Sequence, residues 1–400
     1  MIDLLILITL YVSQALGVFF VLVSALFWLE IVLYVSNREP VDSALVDLKD
    51  GNRFSSIILI PAHNEEDVIH LTISSLQSHL TEKDQIVVVA DNCTDSTIAI
   101  CQSLGVRVVE RYDNEFKGKS YALDFGRSSI ELSQRDVIFN IDADCDCSLL
   151  DIGQMKALAY HSQRPVQCYY EMQQTDKNTL SARLSAFAWW IRNHVRATGA
   201  MTMGIPCQLM GSGMAFPSNV FKKIDFSSNA LAEDLQIGLQ LSQLKHFPIY
   251  LSSSKVISYL PTTTEASDVQ KTRWVHGHIA AMFDIAFPTL AKSLIQHNWR
   301  CFWQSIDALF PPITLTVPVL AVMILLTALI PGTALPFILF SVSLTLVTSG
   351  LCIAYLSDDN RYVDTNDLFK IPFLMIKMFY IPISYFVNKQ TSWEKTKRDE

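Results

Sequence analysis

The chain has 400 residues, of which 50% are hydrophobic and only 18% are charged, and its formal net charge is −8. This hydrophobicity excludes a disordered chain, and the acidic balance excludes a typical nucleic-acid-binding protein, whose phosphate-binding surface is basic. Residues 4–29 and 308–357 carry no charged side chain. The pattern predicts a polar domain flanked by membrane segments rather than a wholly soluble protein.

The amino-terminal apolar stretch, Leu4–Leu29, is longer than the roughly 20 residues needed to cross a bilayer core. A signal peptide would have a basic start and an apolar region of about 7–15 residues, but this chain starts Met1-Ile2-Asp3. Residues 1–36 are therefore predicted to form a transmembrane helix.

Residues 50–283 alternate short apolar runs with helical patterns, which indicates an α/β domain with a mostly parallel sheet flanked by helices. The predicted strands are Ser55–Pro61, Gln85–Ala90, Val106–Val109 and Asp136–Ile141, and the predicted helices are Glu65–Ser78, Thr94–Leu104 and Lys119–Ile130. Ligands of such sheets bind at the carboxyl ends of the strands, where loops 61–66, 91–95 and 142–146 carry acidic residues. No GxGxxG or P-loop motif follows a strand, so neither a dinucleotide site nor a P-loop is predicted.

Asp142 and Asp144 follow the fourth predicted strand. Alternate residues of an extended segment face the same way, and carboxylate oxygens are preferred ligands of Mg²⁺. Taken by itself, the pair is more simply interpreted as a solvated turn, because Asp is common in turns. A second register, Asp144 with Asp146, is also open, and the first is favoured because Asp142 directly ends the strand.

Two further clusters follow along the chain. Glu233 and Asp234 precede an apolar-periodic helix, where acidic residues commonly do no more than complement the helix dipole. Gln270, Arg273 and Trp274 fall on one helix face, which fits either a solvated amphipathic helix or a phosphate-binding arginine beside a flat ring.

Residues 182–197 place Trp189 and Trp190 beside Arg192 and Arg196. This mixture favours a helix at the membrane interface, with a core-facing helix as the alternative.

The eight cysteines show no CxxC pair or zinc-ligand spacing, so no disulfide or zinc site is predicted.

The carboxyl-terminal part is predicted to contain an interfacial region at 284–306 and a transmembrane hairpin at 307–357, broken at Pro331-Gly332. Residues 367–400 are predicted to form an interfacial helix, or a fourth membrane helix, and a cytoplasmic tail, because Lys377 and two prolines interrupt the apolar run 371–388. Basic residues flank the membrane segments on the domain side (Arg38, Lys49 and Arg53, then Lys389, Lys395, Lys397 and Arg398), which predicts a cytoplasmic domain.

The motifs together resemble the membrane-bound family 2 glycosyltransferases, which include cellulose, hyaluronan and poly-N-acetylglucosamine synthases. The resemblance covers residues 54–280 and rests on PAHNEE (61–66), ADNCTD (90–95), GKS (118–120), DAD (142–144), GSGMAF (211–216), ED (233–234) and QKTRW (270–274). The ending Trp393–Arg398 is similar to the WxxTxR tail of some bacterial members. The resemblance implies a GT-A domain and a multi-pass protein of the bacterial plasma membrane.

The resemblance also assigns roles to individual residues. It implies nucleotide-sugar binding by Pro61, His63, Glu65, Asp91, Lys119 and Asp142, and Mg²⁺ or Mn²⁺ binding by Asp142 and Asp144. It implies acceptor binding by Gly211, Ser212, Gly213, Glu233, Gln270 and Trp274. Asp234 would act as the catalytic base, and Arg273 would stabilise the leaving diphosphate.

The implied reaction is inverting transfer from a nucleotide sugar, UDP-linked, to a glycan or lipid-linked acceptor at the bilayer, with no nucleic-acid partner. A synthase of exopolysaccharide or cell-envelope polysaccharide is the leading interpretation. A single-sugar transferase acting on a membrane lipid remains open, because glycolipid-forming members share the QxxRW motif. A catalytically silent membrane scaffold is a distant alternative.

Overall fold

A computed structural model describes residues 2–37, 50–134, 136–173, 179–226, 231–261, 263–359 and 362–387. Its centre is a sheet of seven strands in the order β3-β2-β1-β4-β6-β5-β7. The strands are β1 (Ser55–Ala62), β2 (Asp84–Asp91), β3 (Arg107–Arg111), β4 (Asp136–Asn140), β5 (Val166–Gln173), β6 (Met214–Pro217) and β7 (Ile249–Tyr259). The predicted α/β fold class is confirmed.

The sheet is mixed rather than parallel throughout. Strands β1 to β4 pair in parallel, and β5 pairs in parallel with β7. The short β6 runs antiparallel to both β4 and β5 and joins the two sets. The loops after β1, β2 and β4 therefore meet at one edge of the sheet, as predicted.

The sheet is buried because helices cover both of its faces. Ile58, Leu59 and Ile60 of β1 are fully buried although they alternate between the faces, which explains why the strand reads as a continuous apolar run. The covering helices are Ile69–Gln77, Thr97–Ser103, Lys119–Ser128, Ile152–Ser162 and Glu233–Gln243.

The first two of these helices begin later than predicted, at Ile69 rather than Glu65 and at Thr97 rather than Thr94. The backbone N–H of Glu65 donates to Thr97 Oγ1 at 2.8 Å, and that of Glu66 donates to an Asp95 carboxylate oxygen at 3.2 Å. These bonds join the two loops to each other ahead of the helices.

The predicted membrane segments at the two ends form long helices that pack together. Ile2–Ser36 contacts Ala334–Leu356, which is connected to Ile313–Leu329 through a turn at residues 330–333. A Cβ on Gly17 would lie 2.9 Å from Leu339, so the small residue permits the close approach of the two helices. Gly332 has a φ of +86° in the turn, a conformation that glycine adopts readily.

Three helices in the described ranges are long and apolar enough to cross a membrane: Leu7–Ser36, Glu265–Ile295 and Ala334–Leu356. The number rises to four if Trp299–Ala308 and Ile313–Leu329, bent by 80° at their junction, count as one span. This number is sufficient for a multi-pass membrane protein.

The apolar run 371–388 forms two short helices, Ile371–Met378 and Tyr380–Val387, of eight residues each. A helix of that length rises about 12 Å, far less than a bilayer core. The second packs on Thr264–Ala281, where His276 Nε2 lies 3.0 Å from Ile381 O.

Several residues used in the sequence predictions lie outside the described residues: Arg38, Lys49, Lys389 and the tail Trp393–Arg398.

The helix that carries the tryptophan pair contains a π-helical turn and packs against the sheet and the amino-terminal helix. It runs through Leu180–Trp190, a π-helical turn Ile191–Arg196 and Ala197–Thr202. Trp189 Nε1 donates to Tyr170 O at 2.9 Å, and Trp190 is buried with an edge contact to Tyr34. Both rings thus pack against other parts of the protein, as the core-facing alternative describes, and the position of this helix at a membrane interface stays a prediction.

Candidate active site

A cavity of about 480 Å³ opens at the carboxyl ends of β1, β2 and β4. Three helices complete its wall: Leu180–Trp190 with its π-helical continuation, the start of Glu233–Gln243, and Thr264–Ala281. The predicted site residues in its lining are Pro61, His63, Glu65, Asp91, Lys119, Asp142, Asp144, Gly211, Glu233, Asp234, Gln270, Arg273 and Trp274. Residues separated by up to about 200 positions therefore meet in one cavity, and only Ser212 and Gly213 of the predicted set are absent from its lining.

Lys119 connects two of the acidic motifs. Its Nζ lies 2.6 Å from Asp142 Oδ1 and 3.2 Å from Glu233 Oε1, and it donates to Gly211 O at 2.7 Å. Burial disfavours the charged ammonium, but the two carboxylates outweigh this effect and raise the pKa of Lys119 above its ordinary value. The lysine is therefore a permanent positive charge inside the cavity.

Asp142, Asp144 and Cys145 form a compact donor set, with potential ligand atoms all within 4.8 Å of one another. The two carboxylates suit a hard divalent cation. Burial raises the pKa of the Cys145 thiol well above its usual range, and a soft sulfur ligand does not match the preference of such a cation for oxygen. Asp146 does not line the cavity, which favours the Asp142–Asp144 register over the alternative.

The segment 211–213 forms the wall behind Asp142. Asp142 N–H donates to Ser212 Oγ at 3.0 Å, and Ser212 is fully buried. A Cβ on Gly213 would lie 2.1 Å from Cys168 Sγ, and its φ is +68°. Of the three residues only Gly211 lines the cavity. Ser212 and Gly213 lie behind it, and the role in acceptor binding predicted for them stays a prediction.

Glu233 and Asp234 lie in the first turn of one helix but have different surroundings. Burial and the nearby Asp234 and Asp142 raise the pKa of Glu233, although Lys119 opposes the shift. Asp234 Oδ1 accepts from the Leu235 N–H at 2.8 Å, and within the described ranges Asp234 has no salt bridge. Asp234 is therefore the carboxylate available to a ligand, whereas Glu233 is held by Lys119.

Arg111 forms a hydrogen-bonded ion pair with Asp91, and Arg111 was not among the predicted site residues. Arg111 Nη1 donates to Asp91 Oδ1 at 2.7 Å, and Nη2 donates to Phe116 O at 2.6 Å. His63 Nδ1 lies 2.6 Å from Asp91 O. Asp91 ends β2 and Arg111 ends β3, and the two strands pair in parallel with these residues opposite each other. A parallel pairing of consecutive strands was the only indication from which this contact could have been predicted.

Two tryptophans, Trp189 and Trp274, line one side of the cavity, and only Trp274 was predicted to belong to the site. The Trp189 and Trp274 ring centroids lie 4.5 Å apart at an interplanar angle of 37°, and both rings line the cavity. Gln270 and Arg273 lie beside Trp274 on the same helix and also line the cavity. Arg192, one turn beyond Trp189, is a further lining residue that was not predicted.

Comparisons with known proteins agree with this arrangement. Residues 56–277, more than half of the chain, match the family described as "Glycosyltransferase like family 2". "Probable glycosyltransferase YdaM" of Bacillus subtilis (strain 168) is 25% identical over 236 residues, covering 55% of this chain and 54% of the relative. The chain thus spans about half the length of that curated relative.

Similar solved structures include a mannosyltransferase, PcManGT of Pyrobaculum calidifontis, in complex with GDP-Man and Mn²⁺. It is 13% identical, with a TM-score of 0.46, covering 85% of this chain and 99% of that one. Glucosyl-3-phosphoglycerate synthase of Mycobacterium tuberculosis, with Mn²⁺, UDP and phosphoglyceric acid, is 18% identical, with a TM-score of 0.37, covering 54% and 74%. The family match covers the sheet, the acidic loops and Arg273. The chain belongs to glycosyltransferase like family 2, and residues 56–277 are its glycosyltransferase domain.

Proposed function

We propose that this protein is a membrane-bound inverting glycosyltransferase that transfers a sugar from a nucleotide sugar, UDP-linked, to a glycan or lipid-linked acceptor. The observation that carries the proposal is the meeting of Asp142, Asp144, Asp234 and Arg273 in one cavity, beside helices that pack against the long amino-terminal apolar helix. Basic residues near the domain side of that helix favour a cytoplasmic domain. Synthesis of exopolysaccharide or cell-envelope polysaccharide is the role that this arrangement fits.

The donor would occupy the acidic half of the cavity. Asp142 and Asp144 would hold Mg²⁺ or Mn²⁺, and a bound ion would supply positive charge to the diphosphate as it leaves. Lys119 and Arg273 add fixed positive charge on the same side, where negative charge grows during transfer. His63 and Asp91, held by Arg111, would bind the nucleoside.

Asp234 would act as the general base. A sugar hydroxyl attacks well only when a carboxylate within hydrogen-bond reach accepts its proton. The acceptor oxygen forms a bond to C1 while the bond from C1 to the diphosphate oxygen breaks; the proton passes to Asp234, and the nucleoside diphosphate leaves. Attack opposite the leaving group inverts the anomeric centre.

The aromatic half of the cavity would hold the acceptor. Trp189 and Trp274 offer flat faces for a sugar ring. The side-chain oxygen Oε1 of Gln270 is buried and has no hydrogen-bond partner among the described residues. A hydroxyl-bearing acceptor would satisfy this oxygen, because buried polar atoms are nearly always bonded.

Release of nucleoside diphosphate by purified protein in detergent tests the proposal. A panel of UDP- and GDP-sugars with Mg²⁺ or Mn²⁺ should identify at least one donor, and chelation should abolish release. Product length then separates a polysaccharide synthase, which yields a ladder, from a single-sugar transferase, which yields one sugar per acceptor. Absence of metal-dependent release with every donor would overturn the proposed function.

A further inference from the structure

Arg192 lies where the helix carrying Trp189 changes to π-helical bonding. The turn Ile191–Arg196 follows Leu180–Trp190 without a break, and Arg192 lines the main cavity. Single π-helical turns inside α-helices occur frequently at functional sites. The family motifs quoted above do not include this residue.

The guanidinium of Arg192 has no hydrogen bond or salt bridge to any residue in the described ranges. Arg196, one turn further along, is paired: its Nε lies 2.6 Å from Glu30 Oε2, and its Nη2 contacts Asp307. Burial lowers the pKa of Arg192, and the charge of Asp234 opposes this shift. Arg192 is half-buried in the cavity wall, and its guanidinium offers five N–H donors that no protein acceptor in the described ranges occupies. A ligand anion in the cavity would therefore find an available binding group.

The position of Arg192 in the cavity indicates that the anion belongs to the acceptor rather than to the donor. A small cavity of about 20 Å³ adjoins the main one and shares Arg192, Met210 and His278 with it. Arg196 and Asp307 also line this small cavity, whereas the donor-side residues Asp142, Asp144 and Lys119 do not. Arg192 therefore lies towards the end of the main cavity that faces the amino-terminal apolar helix.

We propose that Arg192 binds a phosphate carried by the acceptor, so that the acceptor class is a phosphorylated lipid or lipid-linked glycan. This inference rests on the proposed function, because it assigns the acceptor of the same site. A guanidinium binds phosphate through two parallel charge-assisted hydrogen bonds. With the phosphate on Arg192, the acceptor hydroxyl would lie towards Asp234, a carboxylate that lines the same cavity and whose charge acts on the arginine.

Binding of a short lipid phosphate tests the inference without requiring turnover. Dodecyl phosphate, dodecyl β-glucoside and inorganic phosphate are titrated calorimetrically into the full-length protein in neutral-detergent micelles. Arg192→Gln should weaken dodecyl phosphate binding about ten- to a hundredfold, the range for loss of one charged hydrogen bond, and should leave glucoside binding unchanged. Arg192→Lys should retain part of the affinity, and the exposed Arg107→Gln should match the wild type.

UDP binding measured on the same samples is the control for folding and for the donor side. Unchanged UDP affinity in Arg192→Gln supports an acceptor-side role. Equal weakening of UDP and dodecyl phosphate would instead assign Arg192 to the donor diphosphate and overturn the inference. Unchanged dodecyl phosphate affinity in Arg192→Gln, or inorganic phosphate binding as tightly as dodecyl phosphate, would also overturn it.

The assay separates this inference from the proposed function. If wild-type protein releases nucleoside diphosphate but does not discriminate dodecyl phosphate from dodecyl glucoside, the transferase proposal stands and the phosphate site does not. If no donor supports release, the transferase proposal itself fails, whatever the lipid titration shows.

Discussion

The ammonium group of Lys119 lies 2.6 Å from Asp142 Oδ1, although Lys119 begins the helix Lys119–Ser128 and Asp142 follows β4. The same ammonium is 3.2 Å from Glu233 Oε1. Lys119 thus neutralises part of a cavity that would otherwise repel the diphosphate of a nucleotide sugar.

Replacing Lys119 should weaken nucleotide binding. Lys119→Met leaves Asp142 and Glu233 without their shared cation, and we expect UDP affinity to fall about ten- to a hundredfold, as for loss of a charged hydrogen bond. Calorimetric titration of UDP measures this change, with the exposed Lys83→Met as the matched control. Wild-type affinity in Lys119→Met would contradict the role, and Lys119→Arg should restore part of it.

Replacing Asp234 should separate chemistry from donor binding. Asp234→Asn removes the proposed proton acceptor, and we expect kcat to fall about 10²–10⁴-fold, the usual contribution of general-base catalysis. UDP affinity should stay near the wild-type value, because Lys119 and Asp142 are untouched. Steady-state release of nucleoside diphosphate measures kcat, and the exposed Asp67→Asn serves as control. Turnover close to wild type would show that Asp234 is not the base.

Replacing Asp144 should change the metal dependence. Asp144→Ala removes one of the two carboxylates that would hold Mg²⁺ or Mn²⁺, so half-maximal activity should require about tenfold more metal, equivalent to about 1.4 kcal/mol. Asp146→Ala is a matched control, because Asp146 lies two residues away but does not line the cavity. If the Asp146 variant shows the shift instead, the metal-binding register is the other one.

A buried ion pair outside the cavity should dominate the acid stability of the domain. Lys156 Nζ lies 2.8 Å from Asp84 Oδ1, and both side chains are almost fully buried. Breaking such a pair typically costs about 3–5 kcal/mol, so Lys156→Met should lower the free energy of unfolding by that amount. Chemical denaturation in detergent measures it, with the exposed Lys222→Met as control.

The same pair predicts the direction of the pH dependence. Burial alone would raise the pKa of Asp84, but the hydrogen bonds from Lys156, Ser56 and Thr81 outweigh it and lower the pKa. The stabilisation is therefore fully present above the unfolded-state pKa of about 3.9 and is lost as the pH falls through the lower folded-state value. Lys156→Met should show a smaller loss of stability on acidification; an equally steep loss would argue that other carboxylates control it.

Local patterns in the sequence determined the strands, the polar loops at their ends and the apolar end helices. An apolar run is recognised from adjacent residues. The assignment of Ile57–Ile60 to a strand and of Asp142 to the loop after a strand therefore needed only neighbouring residues. The helix starts at Ile69 and Thr97 could not, because the loops before them bond to each other across about 30 positions.

Only the tertiary structure decided which side chains share the cavity. It paired Lys119 with Glu233, turned Trp189 towards Trp274, and placed Ser212 behind the wall rather than in it. It also brought Arg192 to the cavity without a counter-ion in contact among the described residues. The physical reason is that these contacts join residues 50 to more than 100 positions apart, and their geometry follows from how the helices pack on the sheet.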